Sequence, residues 1–267
     1  MDPAQPTASF VYGEDDRRRQ VLHVLEPVAR PEPRPAVVLF HGGGLTSGTP
    51  LQDLDWAEPL ADHGYVVFMA GYRLFDPRAG TDRWPAQLED ARRAIRWIRA
   101  RADDFNVDPV RIGAMGHSSG GHLAGLLGTT DGPTETDPRL AGASSRADCV
   151  VDLSGDADLL VPYPDPASTR TLSALLGGTV EQVPDLWREA SPAHNVDQRT
   201  VPFLIIHGNA DQAVPIRMAR NLAAALAQAS IEHVLAELPA GHMDICSHEA
   251  IQALWNAFLA DQLHPER

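Results

Sequence analysis

Lysine is absent from this chain of 267 residues; all 22 basic side chains are arginines. They stand against 36 aspartates and glutamates, which leaves a formal charge of −14. Nucleic-acid backbones and anionic membranes need clustered positive charge on their partner, so neither is expected here. The one dense basic run, residues 17–19, directly follows Glu14, Asp15 and Asp16 and reads as a solvated turn. Cysteine is scarce as well. Cys149 and Cys246 cannot form a disulfide framework, and their separation fits no zinc-ligand spacing, so two free thiols are expected rather than one bridge. No apolar run approaches the ~18 residues of a membrane span. There is no Asn-x-Ser/Thr acceptor, and the opening MDPAQPTASF lacks the charged start and apolar stretch of a secretion signal. These absences together predict a cytoplasmic chain with no membrane partner.

What is present is ordinary globular composition: 43% of residues are hydrophobic and 22% charged, which excludes a disordered chain. The length suits a single α/β domain, 1–267, with a sizeable core. Short apolar runs alternate with amphipathic stretches, the pattern of a parallel sheet covered by helices. Residues 36–40 (AVVLF), 65–70, 111–115, 149–153, 201–206 and 233–238 are expected to be strands, and most show the loss of polar alternation that burial on both faces produces. Residues 21–25 alternate more, as an antiparallel strand at the sheet edge would. Apolar stripes at helical spacing run through Leu88, Ala91, Ile95 and Ile98, then Met218, Leu222 and Leu226, then Ile251, Leu254, Trp255 and Phe258; all are read as core packing. Residues 156–200 differ. They carry five prolines and a Gly177-Gly178 pair after a short helical run, and are expected to form a cap-like insertion over one end of the sheet.

The chemically informative stretch is Gly116-His117-Ser118-Ser119-Gly120, a G-x-S-x-G. Alone it is weak, since roughly one chain in ten of this length would show it by chance. Its setting strengthens it: a strand precedes it and an apolar helix follows, as a nucleophile elbow requires. A serine hydroxyl needs a base and a carboxylate to orient that base. His242 lies just after the strand ending at Leu238. Asp211 lies just after the strand ending at Ile206, with Asp156, Asp158 and Asp244 as rivals for its role. The order Ser118, Asp211, His242 puts all three past the C-terminal ends of strands, where open α/β sheets place their sites. Backbone N–H donors for a developing oxyanion are expected at Gly43 and Gly44, in the His41-Gly42-Gly43-Gly44 turn, together with Ser119. No metal is expected, because no H-E-x-x-H occurs. His41 and His207 are read as ordering their loops, and Leu45, Trp84, His117, Tyr163 and Trp187 as candidate pocket residues.

The runs 41–48 (HGGGLTSG), 71–74 (GYRL), 108–121 (DPVRIGAMGHSSGG) and 207–215 (HGNADQAVP), with the Gly241-His242 loop, resemble the α/β-hydrolase carboxylesterases, especially the hormone-sensitive-lipase-like and feruloyl/acetyl-xylan-esterase-like groups. The resemblance spans roughly residues 36 to 260. It implies a mostly parallel sheet of about eight strands with helices on both faces, no cofactor, and hydrolysis of a small-molecule carboxylic ester through a Ser-His-Asp triad. Serine at position 119, where the lipase-like branch usually has alanine, favours the feruloyl/acetyl-esterase-like branch. Leu45 stands where many relatives have an aromatic residue. Two other readings share the fold: an amide hydrolase such as an arylformamidase or peptidase, and a non-catalytic binding protein, which the presence of all three triad residues disfavours.

Overall fold

Burial without alternation marks the middle of the sheet. In the computed structural model, which describes residues 5–14, 19–27, 31–133 and 135–263, the strands β3 (Arg34–Phe40), β4 (Val66–Ala70), β6 (Cys149–Leu153) and β7 (Phe203–Gly208) are buried at every position. With β1 (Ala8–Glu14), β2 (Arg19–Leu25), β5 (Val107–His117) and β8 (His233–Leu238) they form one eight-stranded sheet, ordered β1-β2-β4-β3-β5-β6-β7-β8. Strands β3 to β8 run parallel, while β2 is antiparallel to both β1 and β4. This is the α/β-hydrolase architecture that the motifs implied.

Helices α2 (Ala86–Ala100), α3 (Ser119–Thr129) and α6 (Arg217–Gln228) cover one face, where Val38, Phe68, Ile95, Leu123 and Leu222 pack together. Helices α1 (Leu54–Asp62) and α7 (Ala250–Leu263) cover the other, around Leu60, Met69, Trp255 and Leu259. Each fully buried side chain of this size contributes about 1.5–3 kcal/mol relative to exposure. The three apolar stripes read from the sequence are the inward faces of α2, α6 and α7.

Residues 21–25 lie in an antiparallel entry at the sheet edge as expected, with β1 outside them and Phe10 opposite Leu22. β1 does alternate between exposed and buried positions, but it is a single short run beside a cluster of acids. β5 starts at Val107 rather than 111, and its pairing with β3 shifts register between Arg34 and Ala36 to accommodate the extra residues. Of the basic run at 17–19, Arg17 and Arg18 lie outside the described residues; Arg19 opens β2 and pairs with Glu14 at 3.3 Å. Cys149 and Cys246 are both free thiols.

Between β6 and β7 the chain forms α4 (Pro166–Leu176), α5 (Pro184–Glu189) and a 3-10 turn at Pro192–His194. Asp165 caps α4 by accepting the Ala167 N–H at 2.8 Å, and Gly177 ends it at φ 80°. Leu159, Leu176, Trp187 and Ala190 make a small apolar cluster within this segment.

Candidate active site

β5 ends and α3 begins within one residue, Ser118, whose φ of 56° and ψ of −126° lie outside the regions ordinary side chains favour. Such a backbone costs roughly 1–3 kcal/mol and persists only where its surroundings hold it. Here the Ser118 N–H donates to the Leu153 carbonyl at 2.9 Å and its own carbonyl accepts the His122 N–H at 3.0 Å. The turn also has no room for side chains on its flanks. A Cβ on Gly120 would run into the carbonyl of Phe40, and one on Gly116 would sit 2.6 Å from the same oxygen. The elbow therefore presses against β3 as only glycine allows.

The Ser118 hydroxyl lies 3.0 Å from His242 Nε2, and His242 Nδ1–H donates to Asp211 Oδ2 at 2.7 Å. Asp211 Oδ1 accepts the N–H groups of Ala213 at 2.8 Å and Val214 at 2.9 Å. His207 Nε2 lies 3.4 Å from Asp211 Oδ2 and donates to the Val214 carbonyl at 3.0 Å. Burial pushes the Asp211 carboxyl up, but the hydrogen bonds from His207, His242 and Val214 outweigh it and hold the group well below the usual carboxylate range. Of the rival carboxylates, Asp244 accepts the Gly241 N–H, Asp158 is held by His194 and Asn221, and Asp156 accepts the Tyr163 hydroxyl. Among the described residues, Asp211 alone of the four carboxylates reaches His242.

His117 packs its ring 4.6 Å from that of His242 and donates Nε2–H to the His242 carbonyl at 2.9 Å. Burial and the nearby His242 push its pKa down to about 4, so it stays neutral beside His242 and adds no repelling charge. His41 likewise orders its loop. Its ring stacks on Tyr72 at 4.2 Å, and the Tyr72 hydroxyl donates to the His41 carbonyl at 2.6 Å.

A cavity of about 310 Å³ opens onto these groups. Ser118, Ser119, His242, Gly44, Leu45 and Tyr163 line it. Gly43 stands one residue behind, at φ 129°, its carbonyl accepting the N–H groups of Thr46 and Ser47. Three sequence candidates do not line it. Trp187 is buried in the small cluster of the 156–200 segment with its Nε1–H on the Gly178 carbonyl, because that segment has a core of its own to fill. Trp84 stacks on His122 at 5.4 Å from behind, and His117 sits behind His242. Sequence reasoning passed over His122, Leu172 and Val214, which do line the cavity, and named Asp156 only as a rival to Asp211 and not as part of its wall. His122 could have been found, since it lies one helical turn after Ser118 on the same face; the others carry no local signal. A larger cavity of about 670 Å³ between β1 and α2 is walled by arginines already paired, Arg93 and Arg139 both with Asp137, and contains no nucleophile–base pair.

The family described as BD-FAE matches residues 22–226. The chain belongs to the BD-FAE family. It is 32% identical over 241 residues to Esterase LipC of Mycobacterium tuberculosis (strain ATCC 25618 / H37Rv), an alignment covering 87% of this chain and 58% of that protein. It is 31% identical over 215 residues to the probable carboxylic ester hydrolase LipM of the same organism, covering 76% and 48%. The BD-FAE chain thus spans about half the length of the curated relatives it matches. Among solved structures it is similar to the acetyl ester-xyloside bifunctional hydrolase from Caldicellulosiruptor lactoaceticus, with a TM-score of 0.82, 25% identity, and 99% of this chain and 98% of that one covered. Thermogutta terrifontis esterase 2 phosphonylated by sarin superposes with a TM-score of 0.83 at 27% identity, covering 98% and 97%. No helix among the described residues is long and apolar enough to cross a membrane.

Proposed function

We propose that this chain hydrolyses carboxylic esters of short acyl groups through an acyl-enzyme on Ser118. The observation that carries the reading is the continuous hydrogen-bonded line from Ser118 Oγ through His242 to Asp211, opening into a cavity. His242 takes the Ser118 proton as the hydroxyl attacks the ester carbonyl, while Asp211, held ionised, fixes the imidazole and stabilises it when charged. The N–H of Ser119, first residue of α3 and without an intrahelical partner, donates to the oxyanion together with the N–H groups of Gly43 and Gly44. His242 returns its proton to the leaving alcohol, then activates the water that releases the acid. Every step uses groups of the chain and water, so no cofactor is invoked. Residues 156–200 act as a cap on the single domain, contributing Asp156, Leu159, Tyr163 and Leu172 to the cavity wall. The names of the relatives, esterases and ester hydrolases, support the bond chosen.

A panel of p-nitrophenyl esters of rising acyl length, run beside aryl formamides, tests the reading. Turnover should be highest for short acyl esters and fall by several orders of magnitude in Ser118→Ala. Ester turnover retained in that variant would remove Ser118 from its role, and faster cleavage of the formamides would move the activity to amides.

A further inference from the structure

Asp156 shares the cavity with Ser118 and His242, yet it enters no ion pair among the described residues, and no arginine lines the cavity. Asp90, Asp137 and Asp148, by contrast, each have an arginine within 3.1 Å. One oxygen of Asp156, Oδ1, accepts the buried Tyr163 hydroxyl at 2.6 Å, which fixes the carboxylate without neutralising it. A half-buried carboxylate in the cavity wall without a counter-charge is disfavoured beside a reaction that builds negative charge on an oxyanion. A positive charge on the substrate reverses that penalty.

A second group in the same wall has the matching character. His122 is 2% exposed and lines the cavity. Its Nε2–H donates to the Ala190 carbonyl at 2.6 Å, so Nδ1 carries no proton and can only accept. Burial keeps this imidazole neutral by lowering its pKa. A carboxylate and a bare imidazole nitrogen both call for a donor from the substrate, while Leu45, Leu159, Leu172 and Val214 offer apolar surface around them.

We propose, resting on the ester-hydrolase reading above, that this cavity selects esters bearing a protonated amine, with the ammonium N–H held by Asp156 and His122 Nδ1 and its alkyl groups packed on the leucines. The pair of acceptors sets substrate preference and takes no part in the bond-breaking steps.

Esters that differ only in this group test it. 2-(Dimethylamino)ethyl butyrate and 3-methylbutyl butyrate have the same shape, one with a protonated nitrogen where the other has a carbon. Ethyl 4-(dimethylamino)butanoate and ethyl 5-methylhexanoate place the same change on the acyl side. Each kcat/KM is divided by the hydroxide-catalysed rate of that ester, which removes the inductive effect of the ammonium. In one of the two pairs the amine ester should lead by about tenfold or more, a lead that shrinks as salt is raised. Asp156→Asn, which preserves the shape and the acceptor for Tyr163, should bring the ratio near one. Tyr163→Phe, which keeps the charge, should leave the preference in place. Butyrylcholine, charged but without an N–H, should fall between the amine ester and the carbon isostere. Equal normalised rates within both pairs, or a preference that survives Asp156→Asn, would overturn the inference while leaving ester hydrolysis standing. No turnover of any ester by the unaltered protein would overturn the hydrolase reading and this one with it.

Discussion

Two imidazoles converge on one carboxylate at the centre of this site: His242 at 2.7 Å and His207 at 3.4 Å both face Asp211 Oδ2. The arrangement keeps Asp211 ionised far into acid, so protonation of this residue does not set the acid limb of a pH–rate profile. Because its carboxyl is held below the unfolded value, Asp211 contributes stability above about pH 4, and that contribution is lost as pH falls further. Asp211→Asn should lower kcat by orders of magnitude with the fold retained, since the amide presents the wrong partner to Nδ1–H. Asp244→Asn, which touches only the Gly241 N–H, should change kcat less than tenfold. Steady-state kinetics on a p-nitrophenyl ester, with circular dichroism as the check on folding, separates the two. If the effects were reversed, the acid of the triad would be Asp244.

At the scale of elements, the elbow between β5 and α3 is a tightly constrained joint. Gly120→Ala would drive a methyl into the Phe40 carbonyl, and backbone cannot yield as a flexible side chain does. We expect that substitution to cost about 3 kcal/mol or more, within the range of severe overpacking, and to lower the urea midpoint even where some protein folds. A midpoint equal to that of the unaltered chain would mean that the joint relaxes freely. The elements differ in how openly the sequence announces them. α2, α6 and α7 show an apolar stripe because each has one face to water. α3 is buried at all eleven residues, so it has no stripe, and only the glycine–serine motif marked it. α1 escaped notice because Pro59 lies inside it, and β1 because it is one short alternating run. The three residues of the proposed triad could be picked out because each follows directly on a strand. The cavity wall was not, since Asp156 and Leu172 meet Ser118 only through the path of residues 156–200, which no local pattern encodes.

For the molecule as a whole, the charge of −14 includes carboxylates whose setting makes them a burden near neutrality. Asp53 is 7% exposed, its Oδ2 has no partner, and burial raises its pKa to about 7. Asp152, buried between β5 and β7, is raised to about 6 by the same cause, against the pull of His207. For both, the folded chain holds a proton that the unfolded chain has shed, so stability falls as pH rises from about 4 towards 7. His117 works the other way: its lowered pKa removes stability as pH falls from about 6.5 towards 4. Asp53→Asn should therefore raise Tm by a few degrees at pH 8 and by much less at pH 5, measured by calorimetry. An equal gain at both values would show that its proton is not the cause.

The proposed base hangs from the strand at one edge of the sheet. His242 follows β8, an edge strand with no fully buried position, whereas Ser118 stands on β5 in the middle of the sheet. Edge elements open locally at a smaller free energy than the centre. Gentle heating should thus silence the enzyme by fraying β8 while the sheet remains folded, and activity should return on cooling. Amide hydrogen exchange at residues 233–238 should then run faster than at 112–117, at the temperature where turnover first declines. On the proposed mechanism, the fragility of that edge rather than the strength of the core would set the temperature limit of turnover.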